Sequence, residues 1–146
     1  MPKRLSDLIS KLFYGGRLQT AESLSLRPGQ PSEPCRWVDM NGRGGGMGEV
    51  AHDRKGYSNP SEAAEVMLQA TQALALGIGG PVYIITPYNK QKKALMDALE
   101  GIPELSGAKA SGQLQVLSVD ACQGSEADCV ILSLVSRANN SMRHRV

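Results

Sequence analysis

Three short apolar runs constrain what this chain can fold into: "PVYIIT" (81–86), "QVLSV" (115–119) and "CVILSLV" (129–135). The first and last are apolar at nearly every position and rich in Val and Ile, the pattern of strands covered on both faces. Between the first two lies "KQKKALMDALE", where Leu95, Ala98 and Leu99 line one helical face. A strand, a helix and a second strand of these lengths make a right-handed crossover in a parallel sheet. The expected fold class is α/β: a three-layer sandwich around a mostly parallel sheet. The link from Asp120 to Asp128 is shorter than a usual crossover, so beside the parallel arrangement a hairpin between the last two strands is the alternative.

The segments upstream add helices. "PKRLSDLISKLF" spaces Leu5, Leu8, Ile9, Leu12 and Phe13 as one helix face, and Gly15-Gly16 offers the left-handed turn that ends it. A turn-rich connector follows, and "CRWVDM" (35–40) reads as a short strand. Residues 41–58, "NGRGGGMGEVAHDRKGYS", read as a flexible glycine-rich loop. Within it, Gly46 to Ala51 fits the loose pattern G-x-G-x-x-A, but a dinucleotide fingerprint needs a helix opening at the glycines, and a polar stretch follows instead. Asn59-Pro60-Ser61-Glu62 is a helix start, with Asn as N-cap, Pro at the first position and Glu three residues on. Its helix places Ala63, Val66, Met67, Ala70 and Leu74 inward and stops at the Gly77–Gly80 cluster. Gly101 and Pro103 close the next helix.

A chain of 146 residues suits a single domain that buries roughly 70% of its unfolded surface. With 41% hydrophobic and 21% charged residues it is globular in composition, and a net charge of +2 creates no global field for nucleic acid or membrane. The unpatterned cysteines Cys35, Cys122 and Cys129 form no CxxC pair and no metal spacing with His52 or His144. They suit a reducing interior, and no membrane span or signal peptide is apparent. The expectation is an intracellular protein, cytoplasmic or nuclear, without a metal site of its own.

In an open parallel sheet, ligands bind beyond the carboxyl ends of the strands. Two such ends are polar here, "ITPYNKQ" (85–91) and "SVDACQGSEAD" (118–128). Ser118, Asp120, Gln123, Gly124 and Glu126 offer hydroxyl, carboxylate and amide groups around a glycine that lets backbone approach a ligand. That set suits the hydroxyls and phosphates of a nucleotide or nucleic acid, and on residue type alone it equally suits a hydrogen-bonded turn. No histidine or nucleophile–base pair stands beside it. The cluster Lys90, Lys92, Lys93 reads as a solvated helix face before it reads as a phosphate track.

Taken as phrases, these stretches resemble the Upf-one-like superfamily 1 helicases. "VLSVDACQGSEADCVILSLV" resembles their motif V, T/S-V-D-x-F/Y-Q-G-R-E-x-D followed by V-I-L-S-x-V-R. "VYIITPYNKQKKAL" is similar to their I-T-P-Y-x-x-Q segment. "YSNPSEAAEV" is similar to their S-x-x-N-x-x-E-A helix start, and "LISKLFYGGRL" to the phrase after their Q-Y-R-M-H-P motif. The resemblance implies that residues 1–146 are part of a second, C-terminal RecA-like domain. It also implies ATP and Mg2+ as cofactors of a full-length helicase, and single-stranded RNA or DNA and a first RecA-like domain as partners. Carried over by position, Glu126, Gly124 and Gln123 would contact the nucleotide. Ser118, Asp120, Thr86, Pro87, Tyr88 and Gln91 would lie on or beside the nucleic-acid path.

The departures are specific. Cys122 stands for the family's aromatic, Ser125 for its arginine and Ala127 for a frequent lysine, while Ser136-Arg137 displaces another arginine by one position. Loss of cations beside a phosphate-facing loop weakens nucleic-acid contact. The chain contains no Gly-Lys-Ser/Thr, and the family's arginine motif is not found after Val135. Phosphoryl transfer depends on such cations, so the chain is expected to be a fragment that is inactive as an ATPase alone. The alternative is a non-catalytic nucleic-acid- or partner-binding module derived from a helicase.

Overall fold

A computed structural model describes residues 3–19, 35–40, 51–53 and 56–135. It divides into two compact units, Met1–Asp39 and Met40–Val146.

In the first unit, helix α1 spans Lys3–Phe13. Gly15 and Gly16 follow at φ +57° and +80°, the left-handed region that only glycine enters without strain. The Ser10 hydroxyl secures this ending: it accepts the Leu18 N–H at 2.9 Å and donates to the Leu18 carbonyl at 3.0 Å. The apolar periodicity predicts the helix correctly but not its covered side. Leu8, Leu12 and Phe13 are exposed, whereas Ser6 and Ser10 are buried. The strand expected over Cys35–Met40 is absent, and Trp37 is 81% exposed. A strand needs a neighbour for its backbone N–H and C=O groups, and no strand of the described residues pairs with this run.

The second unit is built on a parallel sheet. Strands β3 (Val82–Thr86), β4 (Leu114–Ser118) and β5 (Cys129–Leu132) lie in the order β4-β3-β5. Register runs Val82 beside Leu114 and Cys129, and Ile84 beside Val116 and Ile131. The hairpin alternative for the last two strands is thereby overturned, because β5 lies across β3 from β4 and parallel to it. Hydrogen bonds from Asp128 N to Pro81 O (3.0 Å) and from Ser133 N to Ile85 O (2.9 Å) hold the two ends of this placement.

Helix α2 (Pro60–Ala75) starts as its sequence dictates: Asn59 is extended and its side chain accepts the Glu62 N–H at 3.1 Å, with Pro60 next. Ala63, Val66, Met67, Ala70 and Ala73 are buried, with Leu74 at the edge of the core. Helix α3 (Asn89–Glu100) buries Leu95 and Leu99. A further helix, α4 (Pro103–Ala110), lies where a terminator was expected. Pro103 ends nothing; it occupies the first turn of a new helix, where its missing N–H costs no hydrogen bond, and Leu105 and Ala108 turn inward one helical turn apart. All three helices join one core with Val82, Ile84 and Leu114. They therefore share the face of the sheet to which those residues point. On the opposite face, Val130 and Leu132 of β5 are exposed.

The C-terminal part of the expected loop is ordered as a two-stranded antiparallel ladder, β1 (Ala51–Asp53) with β2 (Gly56–Ser58). Ala51 thus opens a strand and not a helix, in keeping with setting aside the dinucleotide pattern; Gly46 to Val50 lie outside the described residues. Among the described residues, no helix is long and apolar enough to cross a membrane.

Leu95 has no exposed surface and sits at the centre of the core. Leu95→Ala is expected to destabilise the chain by about 2–5 kcal/mol. Urea unfolding checks this as a lower midpoint with an unchanged slope.

Candidate functional site

At the carboxyl end of the sheet, Gln91 is fully buried in the first turn of α3. A buried carboxamide needs partners for both its ends, and Gln91 finds them on two other elements. Its Oε1 accepts the Asn59 N–H at 2.8 Å, and its Nε2 donates to Ser133 Oγ at 3.1 Å and to the Asn59 carbonyl at 3.4 Å. Ser133 Oγ donates in turn to Glu62 Oε1 at 2.7 Å, and the same carboxylate oxygen accepts the Val135 N–H at 3.2 Å. Val135 has φ +53°, a left-handed conformation that a β-branched residue rarely adopts. The network joins the start of α2, the start of α3 and the chain leaving β5.

Beside it, Thr86 and Ser118 are register neighbours at the ends of β3 and β4. Thr86 is fully buried, and its Oγ1 accepts the Tyr88 N–H at 3.4 Å. Pro87 is exposed and Tyr88 half-buried. The Tyr88 ring meets Tyr57 of β2 edge-on, with centroids 5.2 Å apart and planes at 63°. Thr86 and Gln91 are both fully buried. Neither has surface to offer a nucleic-acid strand, because both polar groups are spent on positioning the backbone around them.

The link from β4 to β5 also departs from its expected place. A turn of 3-10 helix, Asp120–Cys122, follows the carboxyl end of β4, with the Cys122 thiol donating to the Val119 carbonyl at 3.0 Å. Gln123 is extended, Gly124 turns at φ +79°, and the Ser125 N–H reaches the Cys122 carbonyl at 3.0 Å. The chain then returns to the amino end of the sheet, where Asp128 bonds to Pro81. Gly80 leaves room beside that contact: a Cβ there would overlap the Asp128 carboxylate unless the side chain turned away. The expectation that all of residues 118–128 lie at the carboxyl end of the sheet is corrected. Ser118 and Asp120 stand at the carboxyl ends, whereas Glu126 lies three residues before β5 begins at the opposite end. The side chains of Asp120, Gln123, Ser125 and Glu126 are exposed and available to a ligand. Burial pushes the Cys129 thiol pKa up, so it stays neutral and is a poor nucleophile.

Sequence reading did not find the internal role of Gln91, Ser133 and Glu62. A signal was present: Gln91 occupies the same helical stripe as Leu95 and Leu99, which is the stripe that becomes buried. Ser136 and Arg137 lie outside the described residues.

Residues 1–145 match the AAA domain family. Over 143 residues the chain is 32% identical to the regulator of nonsense transcripts 1 homolog of Drosophila melanogaster, covering 92% of this chain and 12% of the relative. It is 29% identical over 143 residues to the ATP-dependent helicase NAM7 of Saccharomyces cerevisiae, covering 92% of this chain and 14% of the relative. The chain belongs to the Upf-one-like helicase family. Its parallel sheet with helices packed on it is the architecture of a RecA-like helicase domain. The regulator of nonsense transcripts 1 homolog of Arabidopsis thaliana, 29% identical over 145 residues, aligns over 92% of this chain and 11% of its own length. The chain thus spans only about one-eighth of the length of these curated relatives.

Gln91→Leu keeps much of the volume but strands the Asn59 N–H without its acceptor, and is expected to cost about 1–3 kcal/mol. Lys93→Ala, on an exposed face where Lys93 pairs with Asp97 at 3.4 Å, is expected to stay within about 0.5 kcal/mol. Thermal melts of both variants check the contrast.

Proposed function

We propose that this chain supplies one wall of the ATP cleft and part of the single-stranded RNA or DNA path of an ATP-dependent helicase. The observation that carries this reading is the match to helicase relatives across 92% of the chain, in which the link "VDACQGSEAD" leaves Gln123, Gly124 and Glu126 exposed. Gln123 and Glu126 fit ribose hydroxyls and neighbouring donors of a nucleotide, and Gly124 has open space around its α-carbon for close approach. Ser118, Asp120, Pro87 and Tyr88 form the nucleic-acid side, at the carboxyl ends of β4 and β3. Residues 1–146 form part of the C-terminal RecA-like domain, with 41–58 as its glycine-rich excursion.

ATP and Mg2+ belong to the longer helicase, where the metal neutralises phosphate charge. Among the described residues no group of three His, Cys, Asp or Glu side chains is placed to hold a metal. In this reading the ion would rest on the phosphates and on the other RecA-like domain. The chain itself has no Gly-Lys-Ser/Thr to cradle those phosphates, and Ser125 and Ala127 bring no cation to the link. These two residues favour a second reading, a non-catalytic module that binds a strand or a partner without turnover.

The 146-residue chain is expected to show no ATP turnover in a phosphate-release assay, and no ATP–Mg2+ affinity tighter than about millimolar by calorimetry. Turnover that disappears in Glu126→Ala would overturn the one-wall reading. Within a longer helicase chain carrying a phosphate loop, Glu126→Ala is expected to lower ATPase activity without lowering the melting temperature. An unchanged rate there would remove Glu126 from the cleft.

A further inference from the structure

We propose that Tyr57 and Tyr88 form a stacking platform for an unpaired base of a single-stranded nucleic acid, with Gln91 as the positioning residue that holds the rings together. The proposal rests on the nucleic-acid reading above and adds to it a residue, Tyr57, and a mode of contact.

Single-strand binding sites combine aromatic faces, on which bases stack whatever their sequence, with cations that attract the backbone. Tyr57 and Tyr88 meet edge to face at 5.2 Å, an arrangement in which one ring supports the other. Tyr57 remains 40% exposed. That exposure leaves part of the ring open to a partner. Tyr88 lies two residues past the end of β3, where a parallel sheet of this kind presents its ligands. Lys90, Lys92 and Lys93 come next, within the first five residues of α3. Lys93 already leans toward Asp97, so the attraction to a backbone is modest.

The pair is also held from behind. Tyr57 lies two residues before Asn59 and Tyr88 three residues before Gln91, and the 2.8 Å bond from Asn59 N to Gln91 Oε1 ties these two segments together. With no exposed surface on Gln91, water has little access to that bond. The segments that carry both rings are thus tied together before a base arrives, which reduces the ordering cost of binding.

Fluorescence anisotropy of labelled single-stranded oligonucleotides, RNA in one arm and DNA in the other, tests this with the 146-residue chain. Tyr57→Ala is expected to weaken binding about tenfold, and Tyr57→Phe to retain it, because the stacking face is what matters. The slope of log affinity against log salt should be the same for Tyr57→Ala as for the parent chain, since no phosphate contact is lost. Equal affinity of Tyr57→Ala and the parent chain would overturn the platform while leaving the nucleic-acid reading intact. Absence of binding by the parent chain to either oligonucleotide would overturn both. Should Tyr57→Ala fail to fold, photo-crosslinking of a 5-iodouridine oligonucleotide to the parent chain decides the matter. A crosslink mapped to Tyr57 or Tyr88 supports the platform, and crosslinks confined to other residues overturn it.

Discussion

The buried carboxamide of Gln91 is the constraint on which the rest of the second unit depends. An amide with no access to water must place both its oxygen and its nitrogen against partners, and those partners come from segments 32 and 42 residues away in the chain. Asn59 serves twice. Its side chain caps α2 while its backbone N–H, outside the helix and in need of an acceptor, is closed by Gln91. Ser133 then passes the connection to Glu62, a first-turn residue of the same helix. The result is a closed circuit of hydrogen bonds through two helix starts and the end of a strand. It also holds Val135 in its left-handed conformation, which local preference alone would not select.

This circuit explains how a polar sheet end and a structural role coexist. The side chains nearest the sheet, Thr86, Gln91 and Ser133, are buried and hold the backbone in place. Those one layer out, Pro87, Asp120 and Gln123, are exposed. A ligand-facing surface in this unit is therefore a second layer on a rigid first one, and several family phrases encode both layers at once. The Q of the I-T-P-Y-x-x-Q phrase belongs to the inner layer, as does the S of V-I-L-S.

Reading the chain by periodicity and cap chemistry recovered the elements whose signals are local. Asn59-Pro60-Ser61-Glu62 started a helix because the N-cap side chain, the proline and the acid act within one turn. Val82–Thr86 and Cys129–Leu132 became strands because an apolar run of that length has no amphipathic helical alternative. The reading missed α4 because Pro103 is equally good after one helix and at the start of another, and only Leu105 and Ala108 meeting the core separate the two. Apolar composition suggests a strand over Cys35–Met40, and the lack of a pairing partner among the described residues carries no local signal. The exposed residues of the link were legible as polar and ligand-competent, but not their division between the two ends of the sheet.

By itself the sequence determined the α/β class, the parallel β3–α3–β4 crossover, the cap of α2 and the membership in a helicase family, since each follows from residues close together in the chain or from whole phrases. Tertiary structure alone decided that β5 crosses to the far side of β3, that Gln91 faces inward and that Tyr57 meets Tyr88. The physical reason is the same in each case. Strand order, burial of a polar side chain and contact between rings all depend on partners tens of residues away, and no local preference carries that information.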